Sequence, residues 1–210
     1  MDTDERMNWE ARYAQAPETS VEGAEPDREL LALLTEITRQ DAPSDAGPAV
    51  RGAAARTAVD LGSGTGRNTR ALVEAGLRTT AVDFSPTAIA ALWKRALAEG
   101  WDRGLLGITG DLMEWMESTA EHYDLVVGAY LHGVDGALEG ALRLLRPGGR
   151  LLWTTHAPES PHGPPPHVPR PDVDAVRAEA ARVPGITVER LDRTGRGTHT
   201  VDIVLLARRG

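Results

Sequence analysis

The sequence predicts an α/β protein: a three-layer fold around one seven-stranded sheet with an antiparallel last strand. Three observations carry that reading. Short apolar, β-branched segments alternate with segments of helical apolar spacing between residues 58 and 155. The first of them, Ala58 to Leu61, runs directly into the glycine turn Gly62-Ser63-Gly64-Thr65-Gly66. The chain then ends in two further β-rich segments, separated by too few residues for a helical crossover, so they should pair antiparallel.

The 210 residues suffice for one domain with a sizeable core, here residues 26–210, preceded by an N-terminal arm or lid at 1–25. Apolar residues make up 41% and charged residues 26%, which places the chain among ordinary globular proteins. The N-terminus (MDTDERMNWEARY) is charged, and no apolar run reaches the length of a membrane span, so a cytoplasmic protein without a membrane partner is expected. Cysteine is absent, which excludes disulfides, thiolate metal sites and cysteine nucleophiles. A net charge of −8 leaves no surplus of cations to displace counterions from a phosphate backbone, which argues against a nucleic-acid partner. The expected assembly is a monomer or homodimer.

In the arm, Trp9 and Tyr13 are spaced to share one helical face. Such an arm is either a helix docked on the domain or a lid whose rings close over a ligand. From Asp27 to Gln40, Leu30, Leu33, Leu34 and Ile37 recur at helical spacing, and the Pro- and Gly-containing stretch 41–55 reads as a linker. Ala58–Leu61 is the first strand, Thr69–Ala75 the helix behind the turn, ended by Gly76. Arg78–Asp83 is the second strand. Ser85-Pro86 starts a helix carrying Ile89, Leu92, Trp93 and Ala96 and closed by Gly100. Leu105–Thr109 is the third strand and Tyr123–Tyr130 the fourth. A helix with Leu138, Ala141, Leu142 and Leu145 stops at Arg146-Pro147-Gly148-Gly149, and Arg150–Thr155 is the fifth strand. Half of the 14 prolines fall in residues 158–171, a loop. A helix over Asp172–Val183 and strands at Ile186–Leu191 and Thr200–Ala207 complete the chain. Trp93, Trp101, Trp115 and Trp153 read as packing residues.

A strand, a glycine turn and a helix N-terminus at the carboxyl end of a sheet form a nucleotide-type pocket. A nicotinamide dinucleotide fold would show G-x-G-x-x-G. Here the string is G-x-G-x-G, Arg67 stands where the third glycine would be, and Asp60 lies two residues ahead of the turn. Asp83, 21 residues after Gly62, is placed to accept hydrogen bonds from ribose hydroxyls.

Taken together, Asp60-Leu61-Gly62…Gly66-Arg67-Asn68, Ala81-Val82-Asp83-Phe84-Ser85 and Pro147-Gly148-Gly149 resemble class I (Rossmann-like) S-adenosylmethionine-dependent methyltransferases, over nearly the whole chain. With Trp9…Arg12-Tyr13, Tyr130-Leu131-His132 and His156 added, the chain looks like the bacterial branch of tellurite-resistance and thiopurine methyltransferases. The resemblance implies S-adenosylmethionine as cofactor, S-adenosylhomocysteine (SAH) as its product, and a small-molecule methyl acceptor. It implies a pocket made by Trp9, Tyr13, Asp60, Gly62, Ser63, Gly64, Gly66, Arg67, Asn68, Asp83, Phe84, Ser85, Gly110, Asp111, Leu112 and Ala129. Within it Asp60 lies near the α-amino group, Asp83 takes the ribose, Phe84 lies against adenine, and Asp111 with Leu112 meets the adenine edge. Each has a plainer reading when taken alone: a solvated strand-end acid for Asp60, a core ring for Phe84, a helix cap for Asp111.

Methyl transfer is an in-line displacement, for which positioning supplies much of the rate. A neutral acceptor also has to lose a proton. His132, just past the fourth strand, and His156, at the end of the fifth, are the candidate catalytic residues; either is otherwise a hydrogen-bonding loop residue. His156, His162 and His167, even with His132, have no acidic or thiolate partner in tight register, so no metal site is assigned. Two alternatives remain open: a non-catalytic S-adenosylmethionine-binding protein, and a nicotinamide-dependent oxidoreductase.

Overall fold

The computed structural model describes residues 3–15, 25–41, 56–161, 163–165, 167–196 and 200–210. Most of the expected linker at 41–55, and His162 and His199, lie outside them. The elements are α1 (Thr3–Gln15), α2 (Arg28–Asp41), β1 (Thr57–Leu61), α3 (Arg67–Glu74), β2 (Arg78–Asp83), α4 (Pro86–Glu99), β3 (Leu105–Thr109), α5 (Leu112–Ser118), β4 (Tyr123–Ala129), α6 (Ala137–Arg143), β5 (Leu145–His156), α7 (Val173–Ala180), β6 (Ile186–Arg196) and β7 (Thr200–Arg209).

The seven strands form one sheet in the order β3-β2-β1-β4-β5-β7-β6. β1 to β5 run parallel, and β7 is antiparallel to both β5 and β6. Two successive crossovers step outward from β1 to β2 and β3, and the chain then returns to place β4 on the other side of β1. That reversal opens a crevice at the carboxyl ends of β1 and β4, where open α/β sheets bind ligands.

Period-two alternation builds a core on each face. Leu125, Val127, Leu152 and Val204 pack against Leu30, Leu33, Leu34 and Ile37 of α2 and against Leu72 of α3. Val59, Val126, Leu151 and Ile203 face α5, α6 and α7 through Met116, Leu142 and Val176. Gly128 leaves room for an indole: a Cβ there would lie 2.4 Å from the Trp153 ring. Among the described residues, no helix is long and apolar enough to cross a membrane.

Two boundaries differ most from the sequence reading. The strand read as starting at Arg150 begins at Leu145, because Tyr123 pairs with Leu145 before the register shifts between Tyr123 and Leu125. Pro147 sits in that irregular stretch, where the missing N–H costs no regular ladder bond. β6 continues past Leu191 to Arg196, paired through Thr194–Asp202 and Arg196–Thr200. As the edge strand, β6 carries charged residues that period-two patterning does not capture.

Candidate active site

β1 ends at Leu61, and the turn that follows bends through left-handed backbone at Gly62 (φ 66°), Gly64 (φ 53°) and Gly66 (φ 90°). L-residues avoid these angles, which explains the three glycines. Gly62 and Ser63 both donate their N–H to the Val82 carbonyl, at 2.8 and 3.1 Å, which pins the turn to β2. Gly66 then serves as the N-cap of α3.

Asp83, at the end of β2, is buried and faces this turn. Its Oδ2 accepts the Gly64 N–H at 2.8 Å and its Oδ1 the Ser85 N–H at 2.9 Å. Burial pushes its carboxyl up, the two N–H bonds oppose that, and Glu10 adds to the rise. Ser85 Oγ accepts the Ala88 N–H as the α4 cap, and its hydroxyl donates to Glu10 Oε2 at 2.6 Å.

Asp60 is fully buried and accepts the Thr69 hydroxyl at 2.6 Å. Burial pushes its carboxyl up to about 6, against the Thr69 bond and the positive charge of Arg67. Asn68 turns away from the turn, and its Oδ1 accepts the Asp27 N–H at 2.9 Å, tying α2 to α3.

Phe84 and Asp111 follow the carboxyl ends of β2 and β3. Phe84 is half-buried rather than a core ring, with the Arg6 guanidinium 5.6 Å from its centroid. Asp111 caps α5 by accepting the Met113 and Glu114 N–H groups, and it also pairs with Arg6. Burial alone would raise its carboxyl, but the Glu114 N–H, Arg6 and the Met113 N–H hold it below the ordinary value. Leu112 is buried beneath it, and Gly110 donates its N–H to the Asp83 carbonyl at 3.0 Å.

α1 lies along this edge. Trp9 and Tyr13 stack at 5.9 Å between centroids, as their spacing implies. Tyr13 reaches the turn: a Cβ on Gly64 would lie 3.2 Å from its Oη. Trp9 sits further out and is exposed.

β4 ends at Ala129, and the next residue, Tyr130, holds a left-handed backbone (φ 59°), the one non-glycine described residue to do so. Its Oη donates to Asp202 Oδ2 at 2.9 Å, and its ring centroid lies 4.5 Å from that of His156 and 5.5 Å from the Arg67 guanidinium. Beyond it, His132 Nε2 lies 2.9 Å from His156 Nδ1. One nitrogen therefore donates and the other accepts. Burial first, then the charges of His156 and Arg170, pull His132 down to about 4, so it is neutral at physiological pH.

His132 borders a cleft of about 610 Å³ between the loop 131–136, Trp153 and Thr155 of β5, Arg170 and α7. Leu131 joins this cleft to the glycine turn: a Cβ on Gly62 would lie 2.3 Å from Leu131 Cδ2. Trp153 is thus both core and cleft wall. Tyr130, Asp202, Arg6 and Glu10 were not singled out from sequence as site residues; their contacts span 72, 105 and 75 positions and leave no local pattern.

These residues fit S-adenosylmethionine. Each Asp83 oxygen holds one N–H and keeps a lone pair for a ribose hydroxyl. The buried Ser63 Oγ has no hydrogen-bond partner among the described residues. Gly64 has no side chain, which lets Tyr13 Oη approach the turn.

Residues 58–149 match the model of a family described as a methyltransferase domain. An uncharacterized methyltransferase of Mycobacterium tuberculosis (strain H37Rv) is 40% identical over 107 residues, which is 49% of this chain and 42% of that protein. The chain therefore spans less than half the length of that relative. The crystal structure of magnesium protoporphyrin IX methyltransferase from Synechocystis PCC 6803 with bound SAH matches at a TM-score of 0.67, with 12% identity over 98% of this chain and 94% of that one. TehB from Haemophilus influenzae matches at 0.63, with 17% identity over 85% of this chain and 62% of that one. The seven-stranded fold is shared with these methyltransferase structures, and residues 58–149 match a methyltransferase domain.

Proposed function

We propose that this chain transfers a methyl group from S-adenosylmethionine to a small-molecule acceptor, at an oxygen or nitrogen whose proton is taken up by the His132–His156 pair. The observation that carries the proposal is the 2.9 Å approach of His132 Nε2 to His156 Nδ1, beside a cleft that adjoins the glycine turn. When bound, the cofactor supplies a methyl group on a sulfonium, open to displacement without metal or covalent help from the protein. The remaining work is positioning and proton removal.

Asp83 would hold the ribose, Ser63 and the Gly62–Gly64 backbone the amino acid end, and Phe84, Asp111 and Leu112 the base. Of the two tautomers open to the histidine pair, the productive one has His132 Nε2–H donating to His156 Nδ1. That leaves the His132 Nδ1 lone pair free to accept the acceptor's proton, while the Nε2 proton shifts toward His156. Burial keeps His132 neutral, so this lone pair is free across the physiological range, and passing a proton on to His156 offsets the weak basicity that the same burial imposes. Tyr130 supports the arrangement, packing on His156 while anchored to Asp202.

The cleft of about 610 Å³ suits a small acceptor, and the net charge of −8 suits a partner other than nucleic acid. Trp9…Arg12-Tyr13 and Tyr130-Leu131-His132 support the tellurite-resistance and thiopurine branch. The proposed form is a cytoplasmic monomer or homodimer. The test is a labelled-methyl transfer assay over a panel of phenols, hydroxamates, amines and thiols. Transfer to an oxygen or nitrogen acceptor supports the proposal. Transfer confined to thiols, insensitive to both histidines, contradicts the proton-removal role.

A further inference from the structure

We propose that Arg6 and the adenine base are alternative occupants of the same two partners, Phe84 and Asp111, so that Arg6 sets how tightly the nucleoside end of the cofactor is held. This rests on the cofactor reading above and adds a residue to it.

Met7 and Trp9 are exposed, at 59% and 37%, so α1 is not held by a buried apolar stripe. Its clasps are polar: Arg6 to Asp111, Glu10 Oε2 to Ser85 Oγ at 2.6 Å, and Tyr13 beside Gly64. All three land on the crevice that the nucleoside half of the cofactor needs. A helix fixed this way is weakly held, since half-exposed ion pairs contribute little and are screened by salt.

Arg6 also has the right shape. A guanidinium is flat and donor-only, so it lies over an aromatic ring and donates to a carboxylate at once. Arg6 does both, with Phe84 at 5.6 Å and Asp111 as its ion-pair partner. An aminopurine offers the same two features, a flat face and an amino donor. The base can reach Phe84 and Asp111 only by displacing the Arg6 head, and that displacement subtracts the Arg6–Asp111 attraction from cofactor affinity. Glu10 acts alongside: it holds α1 down through Ser85, next to the carboxylate of Asp83.

The test is calorimetric titration of SAH and of adenosine into the wild-type chain, Arg6→Ala and Glu10→Gln, at low and high sodium chloride, with melting temperatures as a fold check. Arg6→Ala is expected to bind SAH about two- to fivefold tighter at low salt, in line with the modest worth of a half-exposed pair. Adenosine should gain by the same factor, and the gain should shrink at high salt as the wild-type pair is screened. Glu10→Gln, which touches neither Phe84 nor Asp111, should shift affinity the same way by less, and it carries the test if Arg6→Ala folds poorly. Unchanged or weaker SAH binding by Arg6→Ala overturns the proposal and makes Arg6 a bystander or a direct ligand. Absence of SAH binding by the wild-type chain overturns the cofactor reading itself, a distinguishable result.

Discussion

The backbone N–H of Gly64 donates to Oδ2 of Asp83 at 2.8 Å, joining the turn after β1 to the end of β2. Asp83 thus shapes the glycine turn as well as being the proposed ribose acceptor. Asp83→Ala removes the proposed ribose acceptor and the partner of two backbone N–H groups. Each hydrogen bond to a charged group is worth about 1.5–3 kcal/mol, so SAH affinity should fall roughly 10- to 150-fold. The melting temperature should fall with it, because Gly64 and Ser85 lose their acceptor. Unchanged SAH affinity would remove Asp83 from the ribose role.

Acid stability should show two opposing titrations. His132 is pulled down to about 4 from an ordinary 6.5, so the unfolded chain binds more protons than the folded one between those values, and this contribution is lost as pH falls through that window. Asp60 is pushed up to about 6 from 3.8, so the folded chain binds more protons in its window and gains stability as pH falls. His132→Gln should flatten the decline in melting temperature between about pH 6.5 and 4, and Asp60→Asn should steepen it. Melts across that range check both; parallel curves for wild type and both variants would contradict the burial-driven shifts.

Tyr130 separates packing from hydrogen bonding. Tyr130→Phe keeps the ring on His156 but takes a donor from buried Asp202, at a cost of about 1–3 kcal/mol in stability. It should retain most turnover and all SAH affinity. Tyr130→Ala removes the ring as well and should lower turnover further while still binding SAH. Equal turnover in the two variants would mean that the ring does not position His156.

For the histidines themselves, His132→Asn and His156→Asn should each bind SAH like the wild type and lose roughly 100-fold or more in turnover on an oxygen or nitrogen acceptor, the usual contribution of general base catalysis. The readout is turnover beside SAH affinity and melting temperature. If turnover falls only in proportion to lost stability, both residues are loop anchors and the proton-removal role is wrong.

Much of this was legible in the sequence because it is local. The α2 stripe Leu30, Leu33, Leu34 and Ile37 is buried as its spacing requires, Ser85-Pro86 opens α4, and the glycines at 62, 64 and 66 sit in left-handed backbone. Asp111 shows why single-residue readings underdetermine a site, being at once a helix cap and the partner of Arg6. The start of β5 at Leu145 was hidden because Pro147 and two glycines look like a stop, whereas pairing with Tyr123 recruits them. The 2.9 Å contact between His132 and His156 and the clasp of α1 on the crevice come from tertiary placement, which no local period encodes.

The proposed role of the glycine turn is to hold S-adenosylmethionine. It is tested most directly by calorimetric titration of SAH into the wild-type chain and Gly64→Val, with NAD as control. Gly64 has φ 53°, and a Cβ there would press on Tyr13 Oη at 3.2 Å, so valine both strains the turn and fills the space against the ligand. Expected are wild-type binding near a micromolar Kd, roughly −8 kcal/mol, no heat with NAD, and no SAH binding by a folded Gly64→Val. Equal SAH binding by that variant, or NAD binding in place of SAH, would contradict that role.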